Sequence, residues 1–269
     1  KRRGLKVYVG DFAMITEAAS REAGRVAPRS RKYIYDISKL AFIFGLLRKV
    51  ARIRRAPVIV MDKDETLTLI GKPLDPTNAR IMRDILRAGG ILAVLTGAEI
   101  TRTKRQVIEP LLSQMEGEDH FLKGLYLLST NGTQMYRYDL ESKDYVLVYK
   151  IILPEMIGEE AAQRVLSIIV ETMDHFAIER RPDLIQREDM GSQITFRPPG
   201  TLIEDEQRAT FDPDRRKRAE VASYITRRAH EEGIAVEARV AGQVSIDILP
   251  LKINKGFGID KIAEVLGVP

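Results

Sequence analysis

The first half of the chain carries short runs of consecutive apolar residues separated by amphipathic stretches. The runs lie at 57–61, 91–95 and 125–128, and a polar residue follows each of them. Continuous apolar runs of this length are typical of strands that are covered on both faces, as in a parallel sheet. The stretches at 76–87 and 100–112 have helical spacing instead. Strands that alternate with helices predict an α/β protein with a Rossmann-like parallel sheet.

The pattern changes after residue 134, where apolar and polar positions begin to alternate, as is typical of half-buried strands. We therefore expect an α+β cap domain at 135–249, inserted between core segments at 57–134 and 250–269. The elements predicted for the cap are a hairpin at 136–138 and 145–149, strands at 192–196, 235–240 and 244–248, and helices at 159–173 and 213–232.

The last of these helices has clear end signals in the sequence. Asp212 belongs to the residue types that cap helix N-termini, and Pro213 is suited to the first helical position. Gly233 is a typical residue just after a helix C-terminus. The signals predict that the helix begins directly after Asp212.

The distribution of charged residues divides the chain between residues 56 and 57. Residues 1–56 hold 15 Lys and Arg against 4 Asp and Glu, whereas the other residues hold 28 against 34. We interpret 1–56 as a basic N-terminal arm of unknown role, with a short strand at 5–9 and helix-like spacing at 16–25 and 40–50. The basic amphipathic stretch either packs on its own domain or binds an anionic membrane surface or a protein partner. Too few aromatic residues accompany the charges to favour nucleic-acid binding.

Candidate chemistry lies at the ends of the first two core strands. Asp62 and Asp64 follow the run at 57–61, and Thr96 and Gly97 follow the run at 91–95. Ligands of open α/β sheets bind at the carboxyl ends of strands. A hydroxyl and a glycine N–H before a helix N-terminus also form a suitable phosphate site. The pattern favours an acidic, phosphate-binding site, although a solvated acidic turn and ordinary helix capping are the simpler alternatives for each motif alone.

The first of these stretches, an apolar strand followed by Asp-x-Asp-x-Thr, resembles the first motif of the haloacid dehalogenase-like (HAD) phosphotransferases. The resemblance implies that Asp62 is a nucleophile that forms an aspartyl phosphate and that Asp64 is the acid and base. It also implies that both hold Mg²⁺ and that Thr96 with Gly97 binds the phosphate. Glu65 departs from the family, which most often has Gly there.

The stretch from 184 to 255 is similar to the cap of eukaryotic-type phosphomannomutases and bacterial relatives of the same cap class, IIB. The closest match is Gly-Gln-Val-Ser-Ile-Asp-Ile-Leu-Pro at 242–250, followed by Lys255. The resemblance implies that Ser245 and Asp247 hold the substrate, and alternation places these two on one face of a strand. Lys255 would be the third HAD motif, a cation beside the transferring phosphoryl group.

The positions of arginines distinguish the two activities that the resemblance allows, a mutase and a phosphatase. Arg208 and, with a gap, Arg187 match phosphate-binding cap arginines of the mutases. The mutases have further arginines at the positions of Thr201 and Gly71, for which Arg197 and Lys72 are the nearest substitutes. A mutase must bind a bisphosphate in two orientations, so the absence of arginine at these two positions favours a phosphatase. The list of expected cap ligands is therefore Ser245, Asp247, Arg208, Arg187 and Arg197.

One family motif is missing after Lys255. The family continues through a helix to a strand that ends in Gly-Asp, which completes the Mg²⁺ site beside the first strand. Two explanations remain open, a longer natural chain and a circular permutation in which the run at 6–11, Lys-Val-Tyr-Val-Gly-Asp, replaces that strand. The second predicts that residues 6–9 pair with 58–61.

These observations lead to one main expectation and two alternatives. We expect a cytoplasmic, Mg²⁺-dependent phosphatase that hydrolyses a sugar phosphate or another small phosphorylated metabolite. The alternatives are a phosphomannomutase-like enzyme and a non-catalytic module that keeps the fold and binds a partner. The absence of cysteine agrees with a reducing compartment.

Overall fold

The computed structural model describes residues 6–9, 31–33, 58–64, 66–188, 191–200 and 204–267. The chain divides into two compact units, a larger one formed by 1–149 with 254–269 and a smaller one formed by 150–253. The predicted helices at 16–25 and 40–50, and also Glu65 and Thr201, lie outside the described residues. In the described part of the chain, no helix is long and apolar enough to cross a membrane.

The larger unit contains a seven-stranded sheet in the order β2-β1-β3-β4-β5-β6-β7. The first five strands in this order are parallel, and β6 is antiparallel to β5. This arrangement confirms the predicted α/β class. The strands are β1 (Lys6–Val9), β2 (Arg31–Tyr33), β3 (Val58–Asp62), β4 (Ile91–Leu95), β5 (Leu125–Ser129), β6 (Gln134–Asp139) and β7 (Asp144–Lys150).

Helices connect the central strands, as the hydrophobic pattern predicted. Helix α1 (Pro76–Arg87) has Asp75 as its N-cap, whose carboxylate accepts from two backbone N–H groups. Helix α2 has three successive parts, which are Ile100–Thr103, a π-helical turn at Lys104–Ile108, and Glu109–Leu112. Helix α7 (Lys255–Val265) closes the described part of the unit. Apolar side chains of β3, β4 and β5 fill two clusters on opposite faces of the sheet, which is why these strands read as uninterrupted apolar runs.

The π-helical turn of α2 has a local cause. Pro110 has no N–H group, so it cannot donate to the carbonyl oxygen of Gln106 four residues earlier. That carbonyl oxygen accepts instead from the N–H of Leu74, at 2.7 Å. This hydrogen bond from Leu74 holds Gln106 against the loop that follows β3.

Strand β1 lies directly beside β3. Lys6 to Val9 pair in parallel with Val58 to Met61, which confirms the pairing predicted from the permuted order. Asp11, the acidic residue of that hypothesis, lies outside the described residues. Because β1 and β2 are strands of the main sheet, the prediction of 1–56 as a separate arm was wrong for these seven residues.

The hairpin formed by β6 and β7 belongs to the larger unit. Tyr126 to Ser129 of β5 pair with residues of β6, so the hairpin extends the core sheet. The unit boundary therefore lies between Tyr149 and Lys150 and not between 134 and 135, as the change of pattern had suggested. Alternation marked the antiparallel edge of the sheet and did not mark a domain boundary.

The smaller unit has a four-stranded antiparallel sheet in the order β10-β11-β9-β8. Apolar residues of its strands and of its two long helices form one cluster, so both helices cover the same face of the sheet. The elements are α3 (Leu153–Ile157), α4 (Glu159–His175), β8 (Ile185–Glu188), β9 (Gln193–Phe196), α5 (Asp205–Phe211), α6 (Arg216–Glu231), β10 (Val236–Ala241) and β11 (Ser245–Pro250).

Helix α6 starts later than its sequence signals predicted. It begins at Arg216, so the placement of Pro213 at the first helical position was wrong. Asp212 still accepts from the first turn, since its carboxylate receives the N–H groups of Lys217 and Arg218 at 3.2 and 3.1 Å. The Arg218 guanidinium also donates to the Asp212 carboxylate at 2.9 Å, which forms a buried ion pair.

Candidate active site

Asp62 is the last residue of β3, at the carboxyl edge of the parallel sheet. One oxygen of its carboxylate accepts from the N–H of Lys63 at 2.8 Å, and the other contacts the Lys255 ammonium. Burial raises the pKa of the Asp62 carboxyl above its ordinary value, and the Lys255 charge acts in the opposite direction. The negative charge of Asp64 is near enough to raise this pKa further. Perturbed carboxyl groups of this kind cluster at functional sites.

Lys255 reaches Asp62 because helix α7 starts at this edge of the sheet. Asn254 caps the helix by accepting from the N–H of Phe257 at 3.0 Å. One turn later, Gly258 contacts Gly132, and a Cβ atom added to Gly132 would lie 2.8 Å from the Cα atom of Gly258. Two glycines thus allow the helix to approach the turn after β5 closely enough to place Lys255 beside Asp62.

Asp64 is held by a residue that sequence reasoning did not identify. Lys63 is only 1% exposed, and its ammonium donates to Asp64 and to the side-chain oxygen of Gln106, at 2.7 Å each. The lysine therefore ties the loop after β3 to helix α2. A usable sequence signal was present, because Pro110 lies four residues after Gln106 and predicts a distortion of the helix there.

Thr96 directly follows β4, the strand adjacent to β3. It is buried, and its hydroxyl oxygen accepts from the N–H of Ala98 at 3.1 Å. Its carbonyl oxygen accepts from Asn131, which has positive φ in the turn after β5. Thr96 and Gly97 thus lie at the same edge as Asp62, next to the start of α2. The structure places the predicted acidic and phosphate-binding groups at the carboxyl ends of two adjacent parallel strands.

The residues at this edge are compatible with Mg²⁺. Magnesium is usually held by one or two carboxylates together with waters and substrate phosphates, and Asp62 and Asp64 supply two carboxylates. Among the described residues there is no group of three or more His, Asp or Glu side chains that would form a metal site by themselves. The donor set fits a cation that is completed by its substrate.

In the smaller unit, polar side chains occupy the sheet face opposite the helices. Register places Arg239 across from Asp247 and Asp247 across from Thr195, while Thr195 pairs with Gln186. Asp247 is buried and accepts from the Thr195 hydroxyl at 3.1 Å. Ser245, two residues before Asp247, lies on the same face by alternation, as predicted. Sequence reasoning missed Arg239, Thr195 and Gln186, which only cross-strand register brings into this row.

The predicted arginines of this unit occupy different positions. Arg197 is buried, follows β9 and contacts the side-chain oxygen of Gln186, so it joins the polar face. Arg187 lies outside this polar face, since it pairs in register with the core residue Ile194 and donates to Gln163 of helix α4. Its role as a substrate contact stays a prediction. Its side chain is on the helix-covered side because residues one apart in a strand point to opposite faces.

Two further cations lie outside the sheets. Arg208 is half-buried within helix α5. Lys72, considered as the substitute for an arginine at Gly71, is exposed in the turn that joins β3 to α1. Both remain predictions as substrate contacts.

Solved structures show the same fold. A C-terminally truncated Plasmodium falciparum IMP-nucleotidase aligns with a TM-score of 0.57 and 16% identity, over 95% of this chain and 71% of that one. A haloacid dehalogenase-like hydrolase from Bacteroides thetaiotaomicron aligns with a TM-score of 0.51 and 17% identity, over 80% of this chain and 78% of that one. The C-terminal domain of the Candida albicans trehalose synthase regulatory protein aligns with a TM-score of 0.50 and 10% identity, over 82% of this chain and 64% of that one.

The chain spans 57% of the length of another IMP-nucleotidase structure, which it matches at 17% identity and a TM-score of 0.55. No protein-family model matches the sequence, and no curated protein matches it either. At identities this low the likeness shows a fold shared with these structures and leaves the activity to be argued from the site.

Proposed function

We propose that this chain is a phosphohydrolase of the HAD type that acts through an aspartyl phosphate at Asp62. The observation that carries the proposal is the contact between the Asp62 carboxylate and the Lys255 ammonium, at the sheet edge where Thr96 follows the adjacent strand β4. A nucleophile, a fixed cation and a hydroxyl beside a helix N-terminus are the groups that phosphoryl transfer requires.

In the first step, an Asp62 oxygen attacks phosphorus and the bond from phosphorus to the leaving oxygen breaks. Asp64 donates a proton to that leaving oxygen. Lys255 offsets the negative charge of the phosphoryl oxygens, and Thr96 with the N–H of Gly97 orients them. Lys63 keeps the Asp64 carboxylate in place during this step.

In the second step, Asp64 removes a proton from water, the water oxygen attacks phosphorus, and inorganic phosphate leaves Asp62 as a free carboxylate. Asp62 and Asp64 would hold the Mg²⁺ ion, which offsets the charge repulsion between the carboxylates and the phosphate. A bound Mg²⁺ charge would favour the carboxylate form of Asp62, against the burial that raises its pKa.

The substrate proposed from the cap is a small phosphorylated metabolite, first of all a sugar phosphate. The polar row of Arg239, Asp247, Thr195 and Gln186 supplies the donors and acceptors that recognise hydroxyl groups. The structural neighbours include an IMP-nucleotidase with bound IMP and one with bound ATP, so nucleotides belong in the same substrate panel. A phosphomannomutase-like reaction is the second candidate, based on the sequence similarity at 242–250.

The test is phosphate release from an aryl phosphate and from a panel of sugar and nucleotide monophosphates. We expect release by the natural chain with Mg²⁺, and loss of release in Asp62→Asn. Asp84→Asn, a surface change in helix α1 of the same unit, is the matched control and should retain full activity. Normal turnover by Asp62→Asn would reject the nucleophile, and complete inactivity of the natural chain would favour a non-catalytic module.

Products separate the two enzymatic candidates. With mannose 1-phosphate and a catalytic sugar bisphosphate, free phosphate identifies a phosphatase, and mannose 6-phosphate identifies a mutase.

A further inference from the structure

Gln106 lies in the π-helical turn of α2 and contacts the loop after β3 at both ends of that loop. At the start of the loop, its side-chain oxygen accepts from the Lys63 ammonium at 2.7 Å. At the end of the loop, its backbone carbonyl oxygen, which Pro110 leaves without a helical partner, accepts from the N–H of Leu74 at 2.7 Å. Single π-helical turns within α-helices occur frequently at functional sites.

Lys63 is a rigid support within this loop. Its backbone carbonyl oxygen accepts from the N–H groups of Leu67 and Thr68, at 2.9 and 2.8 Å. Its side chain is only 1% exposed, and a buried charge must keep its polar partners because an uncompensated one is costly. The ammonium therefore stays where its two acceptors, Gln106 and Asp64, hold it.

The Asp64 carboxylate is more open than the Asp62 carboxylate. The Asp64 side chain is 38% exposed, compared with 13% for Asp62. A side chain this open to solvent can change rotamer unless a contact holds it. The Lys63 ammonium contacts Oδ1 of Asp64 at 2.7 Å, which fixes the carboxylate and leaves its second oxygen for proton exchange.

The chemistry of Gln106 suits an anchor for this ammonium. An ammonium group only donates, so it faces the oxygen of the amide. Because the amide has no charge, it holds Lys63 without competing with Asp64 for the positive charge. The stronger, charge-assisted hydrogen bond is thus the one to Asp64.

We propose that Gln106 is a positioning residue, which acts through Lys63 to hold Asp64 where it gives a proton to the leaving oxygen and later takes one from water. The inference rests on the proposed phosphohydrolase activity and extends it to a residue of α2. It concerns the proton transfers alone, because Gln106 contacts neither Asp62 nor Lys255 in the described part of the chain.

The first measurement compares two leaving groups. Dinitrophenolate leaves as a stable anion, whereas the alkoxide of a sugar or a nucleoside needs a proton. Because kcat/KM covers only the steps up to departure of the leaving group, Gln106→Met should lower it about tenfold for the best alkyl phosphate of the panel. For dinitrophenyl phosphate the loss should stay below about twofold.

The side-chain change leaves the backbone contact to Leu74 in place, so it tests the contact to Lys63. General damage to the fold would lower kcat/KM equally for both leaving groups. Lys104→Met is the matched control, since it changes a partly exposed lysine of the same helix that contacts Asp144. It should change neither value.

The second measurement asks whether Gln106 acts through Lys63. Lys63→Met removes the donor to Asp64 and should lower kcat/KM for the alkyl phosphate by about 10², because misplacing a reacting group by about 1 Å costs that much. In the Lys63→Met background, Gln106→Met should cause no further selective loss, since residues that act as one unit are not additive.

Three results would overturn the proposal: equal losses on both leaving groups, additive losses in the double variant, or a natural chain that hydrolyses dinitrophenyl phosphate but no alkyl phosphate. A natural chain that releases phosphate from no substrate overturns the proposed function and this inference together. The failure of the inference alone is therefore distinguishable from the failure of the proposed function.

Discussion

Each unit contains a carboxylate in close contact with a cation, and the two carboxylates differ in how they are held. Asp62 receives the Lys63 N–H and the Lys255 ammonium, and burial still raises its pKa. Burial alone would raise the pKa of Asp212 too, but the N–H groups and guanidinium of Arg218 and the N–H of Lys217 lower it below the usual range. The pKa of the first carboxylate thus stays above its ordinary value, whereas the second carboxylate is fully satisfied by its donors.

The surroundings of the two pairs agree with that difference. Arg218 is buried and also donates to the carbonyl oxygens of Ala241 and Gly242, at 3.0 Å each, so it fixes the turn between β10 and β11. Lys255 lies at the first turn of a helix that only two contacting glycines bring to the sheet edge. The fully buried ion pair of Asp212 and Arg218 thus indicates a scaffold, and the partly exposed pair of Asp62 and Lys255 indicates a candidate active site.

The largest effect on stability is expected from Arg218→Met. The change leaves the buried Asp212 charge without its cation and removes the donor to the β10–β11 turn. Breaking a buried pair from one side costs about 3 to 5 kcal/mol of the free energy of unfolding. Urea denaturation measures it, with Arg216→Met, a strongly exposed neighbour in the same helix, as the control. A loss no larger than that of the control would show that Arg218 has no scaffold role.

The next largest effect is expected on catalysis, from Lys255→Met. Removing a fixed charge that stabilises a transferring group reduces kcat by about 10² to 10³. Stability should change little, because Asp62 can take up a proton when its cation is gone. Lys261→Met, in the same helix, is the control. If Lys255→Met lowers stability and leaves kcat unchanged, Lys255 is a scaffold residue and the contrast with Arg218 disappears.

The pH dependence of stability should have opposite signs at the two carboxylates. Because the folded pKa of Asp212 is lowered, the unfolded chain binds more protons, and stability is lost as the pH falls through the range below the ordinary carboxyl pKa. Because the folded pKa of Asp62 is raised, stability is lost as the pH rises above that ordinary value. Urea titrations in a metal chelator measure both: Asp212→Asn should remove the acid loss, and Asp62→Asn should raise stability near neutral pH. If the two substitutions changed the pH dependence of the free energy of unfolding in the same direction, the comparison between Asp62 and Asp212 would be contradicted.

The smallest effect is expected at the polar face of the smaller unit. Asp247→Asn keeps an acceptor for the Thr195 hydroxyl but removes the charge. For a preferred metabolite, kcat/KM should fall about tenfold, which corresponds to one weakened substrate contact, and for an aryl phosphate it should not change. Asp174→Asn, an exposed change in the same unit, is the control. Equal losses on both substrates would exclude Asp247 from substrate recognition.

The sequence by itself determined the local elements and the ends of the core strands. Continuous apolar runs predicted β3, β4 and β5, and their polar ends predicted Asp62, Asp64 and Thr96 at one edge, because strand length and burial are local properties of the pattern. Alternation placed Ser245 and Asp247 on one face in the same way. Resemblance to known motifs singled out Lys255, 193 residues from its partner.

Only the tertiary structure decided what those elements contact. That Lys63 bridges Asp64 and Gln106, that Arg187 faces the helices, and that β6 and β7 extend the core sheet all follow from strand register and from close packing between distant segments. Register is not encoded at any one position: it results from which apolar face finds a partner once the whole sheet has assembled. The same reason separates Asp62 from Asp212, since burial and the number of donors around a carboxylate are properties of the folded unit.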